Sequence, residues 1–129
     1  MSREYTPKQI EKYKRQKYIS ALNKCTKNLY KLFRDSKISY HDFKAKFIKL
    51  KDEIDSYSEV RLNSEHSKLT KEYIYNLYEK TILDGSFDNN KFNEIRDKEL
   101  TNLNRLQKLK NRSRYKKNKY NNIDSELNL

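Results

Sequence analysis

Turn-forming residues are scarce in this sequence: its 129 residues include one glycine, Gly85, and one proline, Pro7. Glycine and proline supply the special backbone angles of most tight turns, so a sheet of several short strands would lack the residues that connect it. Apolar residues instead recur at intervals of three and four along most of the chain, which is the spacing of one helix face. The sequence therefore predicts an all-α fold, a small bundle of about four helices in which the first and last are long.

The first predicted helix opens at Thr6, a good N-cap, with Pro7 at the first helical position and Gln9 completing a capping box. It runs to about Arg34. Its core face is formed by apolar residues at helical spacing: Ile10, Tyr18, Ala21, Leu22, Cys25, Leu29, Leu32 and Phe33.

The second predicted helix starts at Ser39, with Asp42 at the capping-box position. Five apolar residues at spacings of 4, 3, 4 and 3 then form a short seam: Phe43, Phe47, Leu50, Ile54 and Tyr57. Such a seam packs against another helix. The partner helix belongs either to the same chain, in an antiparallel bundle, or to a second copy, in an elongated homodimer.

The third helix is predicted to begin at Thr70, where Leu69 and Ile74 occupy the positions of a hydrophobic staple. Gly85 is predicted to end it in the left-handed conformation. Its buried stripe comprises Ile74, Leu77, Tyr78 and Ile82.

The fourth helix is predicted to be capped by Asp88 or Ser86. Its core face comprises Phe92, Ile95, Leu103 and Leu106, with Leu100 and Leu109 beside it. The apolar stripe stops after Leu109, although nothing there breaks the helix. We therefore expect a helical domain over residues 1–109, followed over 110–129 by a basic extension that is either helical or disordered. Hydrophobic residues make up only 34% of the chain and the net charge is +12, so the core should be thin.

The strongest indication of a partner is the segment from Arg105 to Asn122, which holds eight lysines or arginines and no acid. Like charges repel at this density unless a polyanion, salt or water screens them, so we expect a phosphate-bearing partner, DNA or RNA. Tyr115 and Tyr120 could stack on unpaired bases. The predicted contacts from this segment are Arg105, Lys108, Lys110, Arg112, Arg114, Tyr115, Lys116, Lys117, Lys119 and Tyr120. On a helix, one face would hold Lys108, Arg112, Tyr115 and Lys119, and another would hold Lys110, Arg114 and Lys117. The cationic surface would therefore wrap around the helix and would not form a single stripe.

A second basic patch lies on the first helix, where Lys12 and Arg15 are added to the predicted nucleic-acid contacts. Two such segments on one surface would form a groove or clamp. The alternatives are a solvated tail and an ordinary exposed helix face, or contact with an acidic protein surface. A membrane partner is not expected, because the basic segment lacks the apolar face of an interfacial helix.

Catalytic, metal and cofactor chemistry is not predicted. His41 and His66 are far apart in sequence, His66 being assigned to a linker, and Cys25 lies on an apolar face as an inert thiol. The acids around Glu53 and Asp55 are explained by lysines four residues earlier. Sequence reading by a helix-turn-helix is disfavoured, because the fourth helix would present Glu94 and Asp97 to phosphates.

These features favour a non-enzymatic nucleic-acid-binding accessory protein that contacts the phosphate backbone. The first alternative is a small helical inhibitor or scaffold that binds a larger nucleoprotein or host enzyme, and a structural assembly protein is the second. The small size and composition suit a phage or other mobile element. A single cysteine and the lack of an apolar signal segment predict a cytoplasmic, intracellular protein.

Overall fold

The computed structural model describes the backbone of residues 5–57 and 60–127, and the side chains of residues 5–57 and 60–111. Over these residues the chain forms four α-helices and no strand, which confirms the predicted all-α bundle. The helices are α1 (Pro7–Arg34), α2 (Tyr40–Ser56), α3 (Glu65–Tyr78) and α4 (Asn89–Leu127), and α3 continues into a single π-helical turn over Glu79–Leu83.

The start of α1 is the predicted capping box. Thr6 Oγ1 accepts a hydrogen bond from the Gln9 amide at 3.2 Å, and the Gln9 side chain accepts one from the Thr6 amide at 2.9 Å. The first buried residue of α1 is Tyr18, so about three turns of helix precede the core. Ile10, predicted to lie on the core face, is 43% exposed.

The predicted seam on α2 packs inside the chain. Ser39 caps the helix through the Asp42 amide as expected, and Phe43, Phe47 and Ile54 are fully buried. The ring of Phe43 lies 5.0 Å from that of Phe33 on α1 and 4.7 Å from that of Phe92 on α4. Since this face is already covered, the expectation of a dimer joined through the seam is wrong, and a homodimer through another surface stays a prediction.

Helix α3 begins earlier than predicted, at Glu65 and not at Thr70. Ser64 is the N-cap and accepts a hydrogen bond from the Ser67 amide. Thr70 lies within the helix, where it is 1% exposed and its hydroxyl donates to the His66 carbonyl at 2.7 Å. A threonine can satisfy its hydroxyl in this way inside a helix, so it does not need to mark the helix start.

Gly85 does not adopt the predicted left-handed conformation, because no described glycine has a positive φ. The chain leaves the π turn at Asp84 with φ −78° and ψ 108°. The Asp84 carboxylate then accepts a hydrogen bond from the Ser86 amide at 2.9 Å. This Asx-type turn redirects the chain without a glycine-specific backbone.

Helix α4 is capped by Asp88, whose carboxylate accepts from the Lys91 amide at 2.9 Å. Phe92 and Leu103 are buried, and Ile95, Leu100, Leu106 and Leu109 are half-buried, so the predicted core face is confirmed. Glu99, which the apolar pattern does not predict to be buried, is only 4% exposed. Its carboxylate accepts a hydrogen bond from the Tyr73 hydroxyl at 2.6 Å and lies 3.7 Å from Lys80 Nζ.

Candidate functional site

A groove of about 770 Å³ runs between α1 and α4 and ends at the start of α3. We call it the basic groove. Its lining residues on α1 are Asn23, Lys24, Thr26, Lys27, Tyr30, Lys31 and Arg34; α3 contributes His66, and α4 contributes Leu103, Asn104, Leu106, Gln107 and Lys110.

The charge of the basic groove is one-sided. Five of its lining side chains are lysine or arginine, and none is a carboxylate. Lys24 pairs with Glu53 of α2 at 3.0 Å, on the side away from α4. Within the described residues, no carboxylate lies within ion-pair distance of Lys27, Lys31 or Arg34. By contrast, the neighbouring depression between α1 and α2 contains both Asp35 and Glu53. Among the described residues, Lys27, Lys31 and Arg34 thus carry positive charge that no ion pair offsets, and low-dielectric walls focus such charge toward an anion. Lys24 and Lys31 also line the depression that holds the two acids.

Helical periodicity explains the α1 wall. Asn23, Lys27, Tyr30 and Arg34 follow one another at spacings of 4, 3 and 4, which places them on one stripe of the helix surface. That stripe lies beside the buried face that carries Leu22, Cys25, Leu29 and Phe33. The same residues that anchor α1 in the core thus fix the direction in which its cations point.

Arg96 joins the beginning of α4 to the end of α1. Its Nη1 atom donates to the carbonyl oxygens of Phe33 and Asp35, both at 2.6 Å, and its guanidinium lies 4.9 Å from the centre of the Phe92 ring. These carbonyls belong to the last turn of α1, where helix carbonyls need partners from outside. From this anchor, α4 runs back along α1, and its next turns supply the second wall of the basic groove.

The sequence-predicted contacts are distributed over several surfaces. Lys110 lies in the basic groove, whereas Arg105 lies on the opposite side of α4, in a depression shared with α3. Lys108 is exposed. The side chains of Arg112, Arg114, Tyr115, Lys116, Lys117, Lys119 and Tyr120 lie outside the described residues. The predicted set is therefore not one continuous surface over the part of α4 whose side chains are described.

The two predicted contacts on α1 differ in their surroundings. Arg15 donates to the Arg61 carbonyl at 2.9 Å and pairs with Glu11 at 3.0 Å, so its charge is partly compensated and its position fixes the α2–α3 connection. Lys12 is exposed. It lies eleven residues before Asn23, which is three helical turns, and therefore on the same stripe as the α1 wall.

Sequence reasoning missed the cations that dominate the basic groove, Lys24, Lys27, Lys31 and Arg34. A signal was present: between Glu11 and Asp35 the chain carries eight basic residues and no acid. This segment is as one-sided as the C-terminal run. It was less conspicuous because apolar core residues separate its charges.

His66 is not in a linker as predicted, but in the first turn of α3, half-buried at the end of the basic groove. Burial lowers its pKa below the ordinary value, and the positive charge of Lys110 lowers it further, while a hydrogen bond with the Leu106 backbone acts in the opposite direction. The imidazole is therefore neutral at neutral pH and adds no charge to the groove.

The cysteine and the carboxylates that the sequence offers as reactive groups are buried or paired. Cys25 is fully buried, and burial, together with the charge of Glu53, raises the pKa of its thiol to about 12, which makes it a poor nucleophile. Glu53 pairs with Lys24, not with Lys49 as predicted, whereas the predicted pair of Lys51 with Asp55 is present at 2.8 Å. Among the described residues, no three histidines, cysteines or carboxylates are grouped so that they could hold a metal ion.

In the described part of the chain, none of the helices combines the length and the apolar character needed to cross a bilayer.

No protein-family model matches the sequence, and comparisons with curated proteins and with solved structures likewise find no match.

Proposed function

We propose that this chain is a non-enzymatic nucleic-acid-binding accessory protein that holds a phosphate backbone in the basic groove and along the basic segment of α4. The observation that carries the proposal is that Lys27, Lys31 and Arg34 line one groove whose lining contains no carboxylate. A surface of this kind binds through phosphate neutralisation and counterion release, and so is steeply salt-dependent. Sequence-specific reading of bases is not part of the proposal.

The basic segment that follows Lys110 extends this site in the sequence. Arg114 and Lys117 follow Lys110 at intervals of four and three residues in the sequence, which is the spacing of one helix face. On α1, Lys12 continues the stripe of the groove wall. We therefore propose that the nucleic-acid backbone follows a line of cations along one side of α1 and α4.

A titration with labelled DNA and RNA at several salt concentrations tests this function. The variant Lys27→Gln/Lys31→Gln/Arg34→Gln removes three cations from the groove wall. If each contacts one phosphate, the slope of log K against log salt should fall by about 2 for a single strand or about 3 for a duplex. The matched control is Lys44→Gln/Lys68→Gln/Lys98→Gln, which removes the same charge from exposed helix positions outside the groove.

Equal weakening by the two triple variants would mean that net charge alone drives binding, and the groove would lose its role. A third full-length variant, with glutamine at Arg112, Arg114, Lys116, Lys117 and Lys119, measures the share of the basic segment. Absence of binding to any nucleic acid at low salt would refute the proposed function.

The second candidate function is a helical inhibitor or scaffold that binds a larger nucleoprotein or host enzyme. It is favoured by apolar side chains that lie before the first buried residue of α1. Ile10 and Tyr13, on the first turns of the helix, are 43% and 60% exposed, and Tyr5, just before its cap, is 66% exposed. Exposed apolar side chains in a group are typical of protein interaction sites. Retention of one protein partner from a host lysate after nuclease treatment, and its loss in an Ile10→Ser/Tyr13→Ser variant, would favour this function. Nucleic-acid binding that the variant leaves unchanged would favour the first.

Under either function we propose a cytoplasmic protein of a phage or other mobile element. The high lysine and asparagine content supports this origin, and the scarcity of cysteine supports this location.

A further inference from the structure

The basic groove contains more than cations. Tyr30 lies on the α1 stripe between Lys27 and Arg34, one helical turn from each, and its ring lines the groove while part of it packs against the core. This partial burial restricts the ring to few orientations. An aromatic face is thus held beside the cations, and its position is set by the packing of α1.

Amide side chains line the groove together with this ring. Asn104 and Gln107 lie on α4, and Asn23 lies on α1. Each amide carries a donor and an acceptor. Phosphate oxygens accept hydrogen bonds but donate none, so the acceptor half of each amide has no use in phosphate binding. Base edges present both donors and acceptors, and they match the amides.

A duplex cannot use this combination. Its base faces are stacked on one another and are not available to Tyr30. A B-form duplex is also wider than its own major groove, which measures about 12 Å, whereas the axes of packed helices lie roughly 8–10 Å apart. A duplex would therefore rest on the rim of the basic groove, where only the long cationic side chains reach it. A single strand exposes base faces and edges, and single-strand binding proteins combine a cationic groove with aromatic rings on which bases stack.

The dimensions agree with a short stretch of strand. Lys27 and Arg34 are seven residues apart, about 10.5 Å along the helix axis. This length holds at most about three base steps of 3.4 Å in a stacked strand and fewer in an unstacked one, so about three nucleotides, joined by two steps, fit. The groove volume of about 770 Å³ is in the range of sites that enclose small organic ligands, roughly 300–1,000 Å³.

We propose that the basic groove is a single-strand site: it takes about three nucleotides, stacks a base on Tyr30, and holds the flanking phosphates with Lys27, Lys31 and Arg34. The amides of Asn104 and Gln107 contact base edges without selecting one base. This inference rests on the proposed nucleic-acid function and specifies the ligand of the same site.

Three probes of equal length test it by fluorescence anisotropy: a single-stranded oligonucleotide, the corresponding duplex, and a single strand of abasic sugar-phosphate units. The wild-type protein should bind the single strand most tightly. Tyr30→Leu keeps an apolar side chain against the core but removes the ring, and it should weaken single-strand binding by about 5- to 140-fold, the loss of one stacked base. Its affinity for the duplex and for the abasic strand should not change.

Two further variants are the controls. Tyr30→Phe keeps the ring and should bind the single strand as the wild type does, which separates stacking from a role of the hydroxyl. Tyr13→Leu removes an exposed tyrosine from α1 outside the groove and should have no comparable effect. Thermal unfolding followed by circular dichroism verifies that each variant is folded at the assay temperature.

The outcomes separate the two levels of the proposal. If single strand, duplex and abasic strand bind equally and Tyr30→Leu changes none of them, the single-strand site is refuted. If the groove triple variant still weakens all three, the proposed function stands as duplex-tolerant phosphate binding. If the wild-type protein binds none of the probes at low salt, the nucleic-acid function itself is wrong, and the single-strand site with it.

Discussion

Replacement of Arg96 by methionine should destabilise the bundle, because this one side chain joins the end of α1 to the beginning of α4. Methionine has a similar length and keeps apolar contact with Phe92, but it cannot donate to the carbonyls of Phe33 and Asp35, each of which lies 2.6 Å from Nη1. The substitution therefore leaves two acceptors at the end of α1 without their partner.

The magnitude follows from these contacts. A hydrogen bond to a charged group contributes about 1.5–3 kcal/mol, and the bond to Asp35 is exposed, where water replaces much of it. The bond to Phe33 is partly buried and should retain most of its value. Loss of the cation–π contact with Phe92 adds about 0.5–1 kcal/mol. We expect the free energy of unfolding to fall by about 2–4 kcal/mol.

Urea unfolding monitored by circular dichroism measures this change as a shift in midpoint at constant slope. The matched control is Arg105→Met, which removes an exposed arginine from the same helix and should cost less than about 0.5 kcal/mol. Equal losses in the free energy of unfolding for Arg96→Met and Arg105→Met would refute the role of Arg96 as an anchor. Water would then form hydrogen bonds to the carbonyls of α1 as favourably as Arg96 does.

Three further predictions concern buried or half-buried groups. Glu99→Ala should lower the free energy of unfolding by about 2–3 kcal/mol, because it leaves the Tyr73 hydroxyl and Lys80 without the buried carboxylate that they contact. The control is Glu94→Ala, at an exposed position of the same helix. Equal losses of stability for the two variants in a urea titration would contradict this prediction. The pKa of His66 is lowered in the folded protein. As the pH falls through the ordinary value of 6.5, His66 of the unfolded chain is therefore protonated before His66 of the folded chain. The free energy of unfolding decreases from that pH down to the lower pKa of the folded state. His66→Gln should therefore lose less stability than the wild type between about pH 7.5 and pH 5, and parallel pH profiles would show that burial of His66 is not linked to folding. Cys25, with its thiol pKa raised to about 12, should react with iodoacetamide only in denaturant, and mass spectrometry showing fast alkylation of the native protein would mean that α1 opens locally.

Much of the secondary structure could be predicted because its signals are local. The capping box of Thr6 and Gln9 lies within one turn, and the apolar spacing of α2 and α4 reports directly which face is buried. The start of α3 was misplaced because Ser64 and Thr70 are both competent caps. The choice between them depends on burial of Ser67 and Thr70 against the other helices, which lies outside the local pattern.

The site was less predictable than the fold. High charge density predicts a binding site in the segment after Arg105, where no apolar residue other than tyrosine interrupts the cations beyond Leu109. The four cations of α1 that line the basic groove are interleaved with core residues, and so resemble the polar face of any amphipathic helix. Their importance depends on which helix lies opposite and on whether that helix supplies carboxylates.

The sequence by itself determined that this protein is helical, where α1 and α2 begin, and which face of each helix is apolar, because caps and periodicity act within a few residues of one another. Tertiary structure alone decided that Glu53 pairs with Lys24 and that Glu99 is buried beside Tyr73. It also decided that α4 contributes amides and no acids to the groove that Lys27 and Arg34 line. The residues brought together in this way lie 26 to 80 positions apart in the sequence. They follow from the packing of whole helix faces, to which each residue contributes only a part.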